Sequence, residues 1–190
     1  MKTWSHPNLG KFKFTMTGWE GRCTLPSFKT FCFQTPGKSK LNLSFETDFD
    51  SNAPPTRPQV TIAQRIIKNE GKLSEKIVQA LSADLNGRGD DSGMWWHGDI
   101  ESVLEILSHS AAKKVDLSAE SAITQIVGSP SVWIRIRVDD YEKPCGVICF
   151  EAAFDTEHGL GILTDGIRVL GIGYQMSVDP FFKNQFHGEE

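Results

Sequence analysis

A short stretch in the last quarter of the chain, FDTEHGLG, brings three ionisable residues within four positions. They are Asp155, Glu157 and His158. Carboxylates and an imidazole can together ligate a divalent metal, or a carboxylate can orient a histidine that acts as a general base. These three residues are therefore the candidate catalytic residues and the candidate metal ligands of the chain.

The local backbone decides whether these three side chains can meet. In a continuous strand, Asp155 and Glu157 share one face and His158 points to the other. A turn over residues 156–159 would let them converge. A purely structural role is also open, because a Glu and a His beside a glycine can hydrogen-bond free backbone groups at a hairpin. The sequence favours the structural role, since it contains no H-E-x-x-H and no G-x-S-x-G motif.

A second candidate site lies in the loop-like stretch MWWHGD. Trp95 and Trp96 either plug one end of the core or present an aromatic surface to a partner or ligand, with His97 and Asp99 as a polar rim. His97 or Asp99 could also join the acidic stretch. Because neighbouring residues of an extended chain point in opposite directions, we expect at least one of the two rings to be exposed.

Two arginines form the third candidate site. Arg135 and Arg137 alternate with isoleucines in SVWIRIRVDD, so they line one face of a predicted strand together with Trp133. That face is either simply solvated, or it binds an anion or an acidic partner.

The spacing of apolar residues predicts the elements that position these candidates. Two-residue alternation indicates strands in KFKFTMTGWEGRCTLP and KLNLSFETD, and again in four successive segments after Pro130. Between them, apolar residues from Ala63 to Leu85 recur about every 3.6 residues, which indicates an amphipathic helix. Thr56 and Gln59 form a predicted capping box at its start. The segment from Ser177 onward is expected to fray.

Strands, then helices, then strands make an α+β order and not an alternating one. We expect a mainly antiparallel twisted β-sheet, formed by an N-terminal hairpin and a C-terminal meander, with helices packed on one face. We predict a single domain over residues 1–190. Its N-terminal strands span about 9–48, its helical middle about 57–127 and its C-terminal strands about 131–176.

Composition narrows the function classes. The net charge of −4 offers no global positive field for a phosphate backbone, so nucleic-acid binding is disfavoured. The chain contains no apolar stretch of membrane-spanning length and no signal-peptide pattern, so we expect a cytoplasmic protein that does not enter a membrane. No complete G-x-G-x-x-G motif occurs, and we predict no cofactor. The four cysteines are predicted to be reduced.

Two segments carry a family resemblance: PQVTIAQRIIKNEGKLSEKIVQALSADL, and later FEAAFDTEHGLGILTDGIRVLGIG. Together they resemble a family of uncharacterised bacterial domains, in which a Gln-led helix is followed by a carboxylate-Glu-His-Gly-x-Gly strand. The resemblance spans roughly residues 8–175 and departs most in the insertion GRGDDSGMWWHGD. It implies the fold and no particular reaction, and related families suggest by analogy an immunity or regulatory role.

Two functional hypotheses from different classes follow. The first is a non-catalytic protein-binding or regulatory module, such as an immunity-like protein, that binds a protein partner through the sheet face or the tryptophan loop. The second is a small metal-dependent hydrolase or ligand-binding protein that uses Asp155, Glu157 and His158. The first is preferred because few reactive groups are clustered, and an enzyme is the less expected outcome. The sequence does not predict the oligomeric state.

Overall fold

The computed structural model describes residues 2–48, 51–109, 120–137 and 143–181. Within them the strands are β1 (Thr3–His6), β2 (Gly10–Thr15), β3 (Gly18–Thr24), β4 (Lys40–Phe45), β5 (Val127–Arg135), β6 (Cys145–Ala152), β7 (Asp155–Thr164) and β8 (Val169–Gly173). The α-helices are α1 (Arg57–Lys68), α2 (Glu70–Leu85), α3 (Ile100–His109) and α4 (Glu120–Ile126), and a 3-10 helix spans Pro26–Thr30.

All of these strands form one sheet, and their order across the sheet is their order along the chain. Each strand pairs antiparallel with the next, except that β4 and β5 are parallel. A parallel pair requires a crossover connection, and the helical middle of the chain supplies it. The fold is α+β, as predicted. The N-terminal strands, however, form a four-stranded meander rather than a hairpin.

The helical crossover begins as the sequence predicts. The Thr56 hydroxyl accepts the backbone N–H of Gln59, and the Gln59 side chain accepts the backbone N–H of Thr56, which completes the capping box. Gln59 is buried, and its amide donates to the Glu46 carbonyl over 2.9 Å, which fastens the helix start to the end of β4. Helix α1 then packs on β5 and β6, and α2 packs on β8.

The two faces of the sheet differ in character. On the helical side, strand residues such as Phe12, Leu43, Val132 and Ile162 belong to the main buried core. Side chains between these positions point to the opposite face. Over β1 to β5 that opposite face is mainly polar, with Trp133 and Arg135 half-buried where it approaches β6, and we call it the open face. It is defined by Lys11, Lys13, Glu20, Arg22, Lys40, Asn42, Ser44, Trp133 and Arg135.

Over β6 to β8, the same side of the sheet carries a second small core. It consists of Cys145, Val147, Leu163, Leu170 and Val178. Residues 174–181, the covering segment, place Val178 on this core. A Cβ atom on Gly161 would lie 3.2 Å from Val178 Cβ, and one on Gly173 would lie 3.1 Å from Val178 Cα. The two glycines pair across β7 and β8, so the covering segment can approach the sheet closely there.

Three details differ from the sequence-based expectations. Strand β1 precedes the predicted first strand and pairs with β2. The helical middle ends at Ile126, where β5 begins directly at Val127. The expected fraying from Ser177 is wrong as far as Phe181, because Val178 and Phe181 are buried and the Phe181 N–H donates to the Leu170 carbonyl. Residues 182–190 lie outside the described part of the chain.

Candidate functional site

The acidic stretch forms a corner at the β6–β7 hairpin, where Ala152 pairs with Asp155. One Asp155 oxygen, Oδ1, accepts both the backbone N–H of His158, at 3.0 Å, and its ring nitrogen Nδ1, at 3.1 Å. Gly159 follows with a φ of +63°, a conformation that glycine adopts without strain. The corner therefore brings two of the three predicted residues together.

Glu157 stays apart from this pair. Its side chain is exposed and makes no hydrogen bond or ion pair with any residue in the described ranges. The Asp155 side chain is only 9% exposed, whereas that of His158 is 52% exposed. Asp155 accepts both hydrogen bonds from His158, three residues further along the chain. This is the structural role that the hairpin interpretation assigns to it.

The two tryptophans of the loop differ in burial, so one ring is partly exposed as expected. Trp96 is fully buried and packs edge-on against Phe154 and Tyr174, with ring centroids 5.4 Å apart in each case. Trp95 is 39% exposed. Asp99 accepts the backbone N–H of Ser102 over 3.3 Å and so caps the start of α3.

His97 contacts a carboxylate that the sequence reasoning did not select. Its Nδ1 lies 2.9 Å from Oδ1 of Asp84, near the end of α2. The Asp84 side chain is 1% exposed, and that of His97 is 22% exposed. A buried carboxylate on Nδ1 fixes the orientation of an imidazole and leaves Nε2 toward the outside, as in the aspartate–histidine part of a catalytic triad.

The surroundings of this pair are incompletely satisfied. Neither Oδ2 of Asp84 nor the indole Nε1 of Trp96 has a hydrogen-bond partner among the described residues. Burial raises the pKa of Asp84, and the nearby donors, above all His97, oppose that rise without cancelling it. On the outer side, Nε2 of His97 lies 3.9 Å from Oδ1 of Asp91, which already accepts the N–H of Gly93.

Aromatic rings connect the two histidine–aspartate pairs. Tyr174 lies between them, with its ring centroid 4.8 Å from that of His158 and 5.4 Å from that of Trp96. His97 and Asp99 therefore belong to a neighbouring region of the molecule and do not join Asp155 in one cluster. Within the described residues, no three His, Cys, Asp or Glu side chains are close enough to hold one metal ion.

Three of the four cysteine thiols have little nucleophilic character. Burial raises the pKa of Cys23 to about 11, of Cys145 to about 12 and of Cys149 to about 11. A thiol that stays protonated at neutral pH is a weak nucleophile and a weak metal ligand.

The predicted arginine pair is divided by the end of β5. Arg135 lies on the open face, with its guanidinium carbon 5.0 Å above the centre of the Trp133 ring. Arg137 follows the strand and is exposed. The open face extends from Arg135 to the N-terminal strands, where Lys13 pairs with Glu20 and Arg22 with Asn42 across the sheet.

Positive charge dominates this face. Lys11, Lys13, Arg22 and Lys40 are all exposed there, and none of them forms an ion pair with a carboxylate of the described residues. Glu20, the acidic side chain among them, accepts the hydroxyls of Thr15 at 2.9 Å and Thr17 at 3.2 Å. The sequence reasoning found only the arginine end of this surface. The alternation of lysines in KFKF was the signal for the rest.

A family comparison agrees with the segments that suggested a relationship. The model of a domain of unknown function, DUF6985, matches residues 8–179. The chain belongs to the DUF6985 family. In this DUF6985 domain the match contains the open face, both histidine–aspartate pairs and most of the covering segment. Neither the curated proteins nor the solved structures include a significant match. None of the described helices is long and apolar enough to cross a membrane.

Proposed function

We propose that this domain is a partner-binding or regulatory module without chemistry of its own, and that it binds an acidic protein through the open face of its sheet. The observation that carries the proposal is the segregation of charge. Four exposed cations without ion-pair partners among the described residues share one sheet face of a chain whose net charge is −4.

Unpaired cations gathered on one sheet face are suited to protein recognition. Each is already solvated and costs little to leave unpaired, but together they attract an acidic surface and fix its orientation. Trp133 and Arg135 extend the face with the residue types that are enriched at the centres of protein interfaces. A long polyanion such as a nucleic acid would extend beyond this patch onto the acidic remainder of the molecule, so a protein partner is favoured.

The two histidine–aspartate pairs support a non-catalytic role. Asp155 orders the β6–β7 corner, and Asp84 holds His97 and therefore the tryptophan loop against α2. Each carboxylate thus has a structural task in the folded chain. We also infer a cytoplasmic location, since an exposed Cys32 that forms no disulfide is suited to a reducing compartment, and the family resemblance suggests a bacterial cell.

Site-specific photo-crosslinking in cells tests this proposal. A photoreactive amino acid is placed at Ser5 or Asn42 near the lysines, and at Lys72 on the helical side as a control. We expect one acidic protein to crosslink from the first two positions and not from the third. The affinity of that protein, purified, is then measured for the wild type and for Lys11→Glu/Lys13→Glu.

The charge-matched control is Arg57→Glu/Lys72→Glu, which changes the net charge equally on the helical side. We expect the lysine pair variant to weaken binding at least about tenfold, and the control to change it by less than about twofold. Crosslinks from Lys72 alone, or equal affinity of both variants, would show that the open face is not the binding surface.

A further inference from the structure

A depression of about 310 Å³ lies at the end of the open face where β3, β4 and β5 meet. Three cationic side chains line it, Arg22, Lys38 and Lys40, and no acidic side chain does. The rest of its lining includes the hydroxyls of Thr35, Ser129 and Ser131 and the amide of Asn42. We call it the rim pocket.

The rim pocket offers the chemistry that a phosphate monoester requires. A guanidinium binds two phosphate oxygens at once, ammonium groups add charge, and hydroxyls donate to the remaining oxygens. The hydroxyls of Thr35 and Ser129 lie 3.3 Å apart although they come from segments far apart in the chain. A phosphate oxygen that accepted hydrogen bonds from both hydroxyls would lie beside the three cations.

The backbone around the rim pocket is unusual for non-glycine residues. Ser129 has a φ of +48° and Gln34 a φ of +59°. Strand β5 also shifts its pairing register between Gly128 and Ser131, which is a bulge in the wall of the pocket. Such conformations cost free energy and cluster at binding sites, where they aim groups at a ligand.

The rest of the fold holds these strained segments in place. The Phe33 N–H donates to the Val127 carbonyl at 3.3 Å, and the Leu25 N–H donates to the Ser39 carbonyl at 2.7 Å. Both ends of the loop before β4 are thereby tied to neighbouring strands. The pocket wall is formed before any ligand arrives, which reduces the entropy cost of binding.

We propose that the rim pocket binds the phosphoryl group of a small, polar phosphate monoester, through Arg22, Lys38 and Lys40. The pocket is larger than one phosphate group, and its lining lacks aromatic side chains, so the remainder of the ligand is a hydroxyl-bearing group rather than a nucleobase. The rim pocket shares Arg22 and Lys40 with the open face, but Lys11 and Lys13 do not line it, so substitutions at those two lysines test the acidic-partner hypothesis alone.

Amide NMR titration tests the proposal with inorganic phosphate, glucose 6-phosphate, glucose and gluconate. We expect the amide signals of Thr35, Ser129 and Ser131 to shift with the two phosphates and not with glucose. We expect Arg22→Gln to weaken glucose 6-phosphate binding about tenfold and Lys38→Gln about fivefold. Lys72→Gln, which removes an exposed charge on the helical side, should change it less than about twofold.

Three results would overturn the proposal. The first is an absence of shifts at these amides with millimolar inorganic phosphate and glucose 6-phosphate, in a protein with a wild-type unfolding midpoint. The second is equal binding of gluconate, which would make the pocket a general carboxylate site. The third is equal weakening by Lys72→Gln and Lys38→Gln, which would indicate unspecific attraction. None of them affects the crosslinking result from Ser5 or the affinity of Lys11→Glu/Lys13→Glu, because these residues do not line the rim pocket.

Discussion

The His97–Asp84 and His158–Asp155 pairs use the same atoms at similar distances, 2.9 and 3.1 Å, in opposite surroundings. Asp84 is buried and keeps one oxygen without a hydrogen-bond partner among the described residues, whereas Asp155 uses a single oxygen for two donors of the exposed His158. The comparison teaches that spacing in sequence identifies the local pair, His158–Asp155. Burial makes the other pair, His97–Asp84, energetically important although its members are distant in sequence.

The largest difference in stability loss is expected between substitutions of the two adjacent tryptophans, Trp95 and Trp96, next to the His97–Asp84 pair. Trp96→Ala removes a fully buried ring and should lower the free energy of unfolding by about 3–5 kcal/mol. Trp95→Ala removes a ring that is 39% exposed and should cost less than about 1.5 kcal/mol. Urea unfolding measures both. Equal losses would mean that the loop is not anchored through Trp96.

Double-mutant cycles compare the two pairs directly. The cycle of Asp84→Ala with His97→Ala should give a coupling free energy of about 1.5–3 kcal/mol, as for a buried hydrogen bond to a charged group. The cycle of Asp155→Ala with His158→Ala should give less than about 1 kcal/mol, as for exposed pairs. A larger coupling at the surface pair would reverse the assignment of the two sites.

The pH dependence of stability should separate Asp84 from a second carboxylate, Asp165. The raised pKa of Asp84 means that its contribution to stability is complete below about pH 3.8, its ordinary pKa, and is lost as the pH rises through the folded-state value. Asp84→Asn removes this titration. Its stability relative to the wild type should therefore increase as the pH is raised from about 4 to 7.

Asp165 supplies the matched control of opposite sign. Burial alone would raise its pKa, but the backbone N–H groups of Arg168 and Ile167 and the Arg168 guanidinium outweigh burial and lower it. Its contribution is present above about pH 3.8 and is lost as the pH falls through the folded-state value. The free energy of unfolding of Asp165→Asn should thus fall further below that of the wild type as the pH rises. Slopes of the same sign for the two variants would contradict one of the two assignments, and the sign would show which.

The smallest effect is expected at Glu157. Because its exposed side chain makes no hydrogen bond or ion pair with the described residues, Glu157→Gln should change the free energy of unfolding by less than about 0.5 kcal/mol. Thermal unfolding with EDTA and with a series of divalent metals extends the test to the metal hypothesis. A metal-dependent rise in the midpoint that Glu157→Gln abolishes would make the corner a ligand site.

Much of the fold could be predicted from sequence because periodicity reports burial directly. Alternation around Phe12 and Leu43 indicated strands, and the apolar spacing to Leu85 indicated the crossover helix. Strand β1 escaped this reasoning because its four residues are too few to establish a period. The parallel pairing of β4 with β5 could not be inferred, because it joins segments separated by the whole helical middle.

The candidate site was predictable only where its members are close in sequence. Asp155 and His158 were selected for their spacing, and they do meet. Asp84 was not selected, although it occupies the apolar stripe of α2 beside Leu81 and Leu85, where an ionisable residue is unexpected. The available signal was an ionisable residue, Asp84, in a stripe of buried apolar residues. Its partner, His97, could not be predicted because it comes from a loop whose path the sequence does not specify.

The single parallel pair between β4 and β5 has a consequence for how the chain folds. Each meander can form from hairpins between neighbouring strands, which close short loops and are fast. Uniting the meanders requires closure of the entire helical crossover, which is the costliest loop in the sheet. The pairing of β4 with β5 should therefore form late in folding. A chain cut within the crossover should yield two halves that reassemble through this one pairing and the helices packed across it.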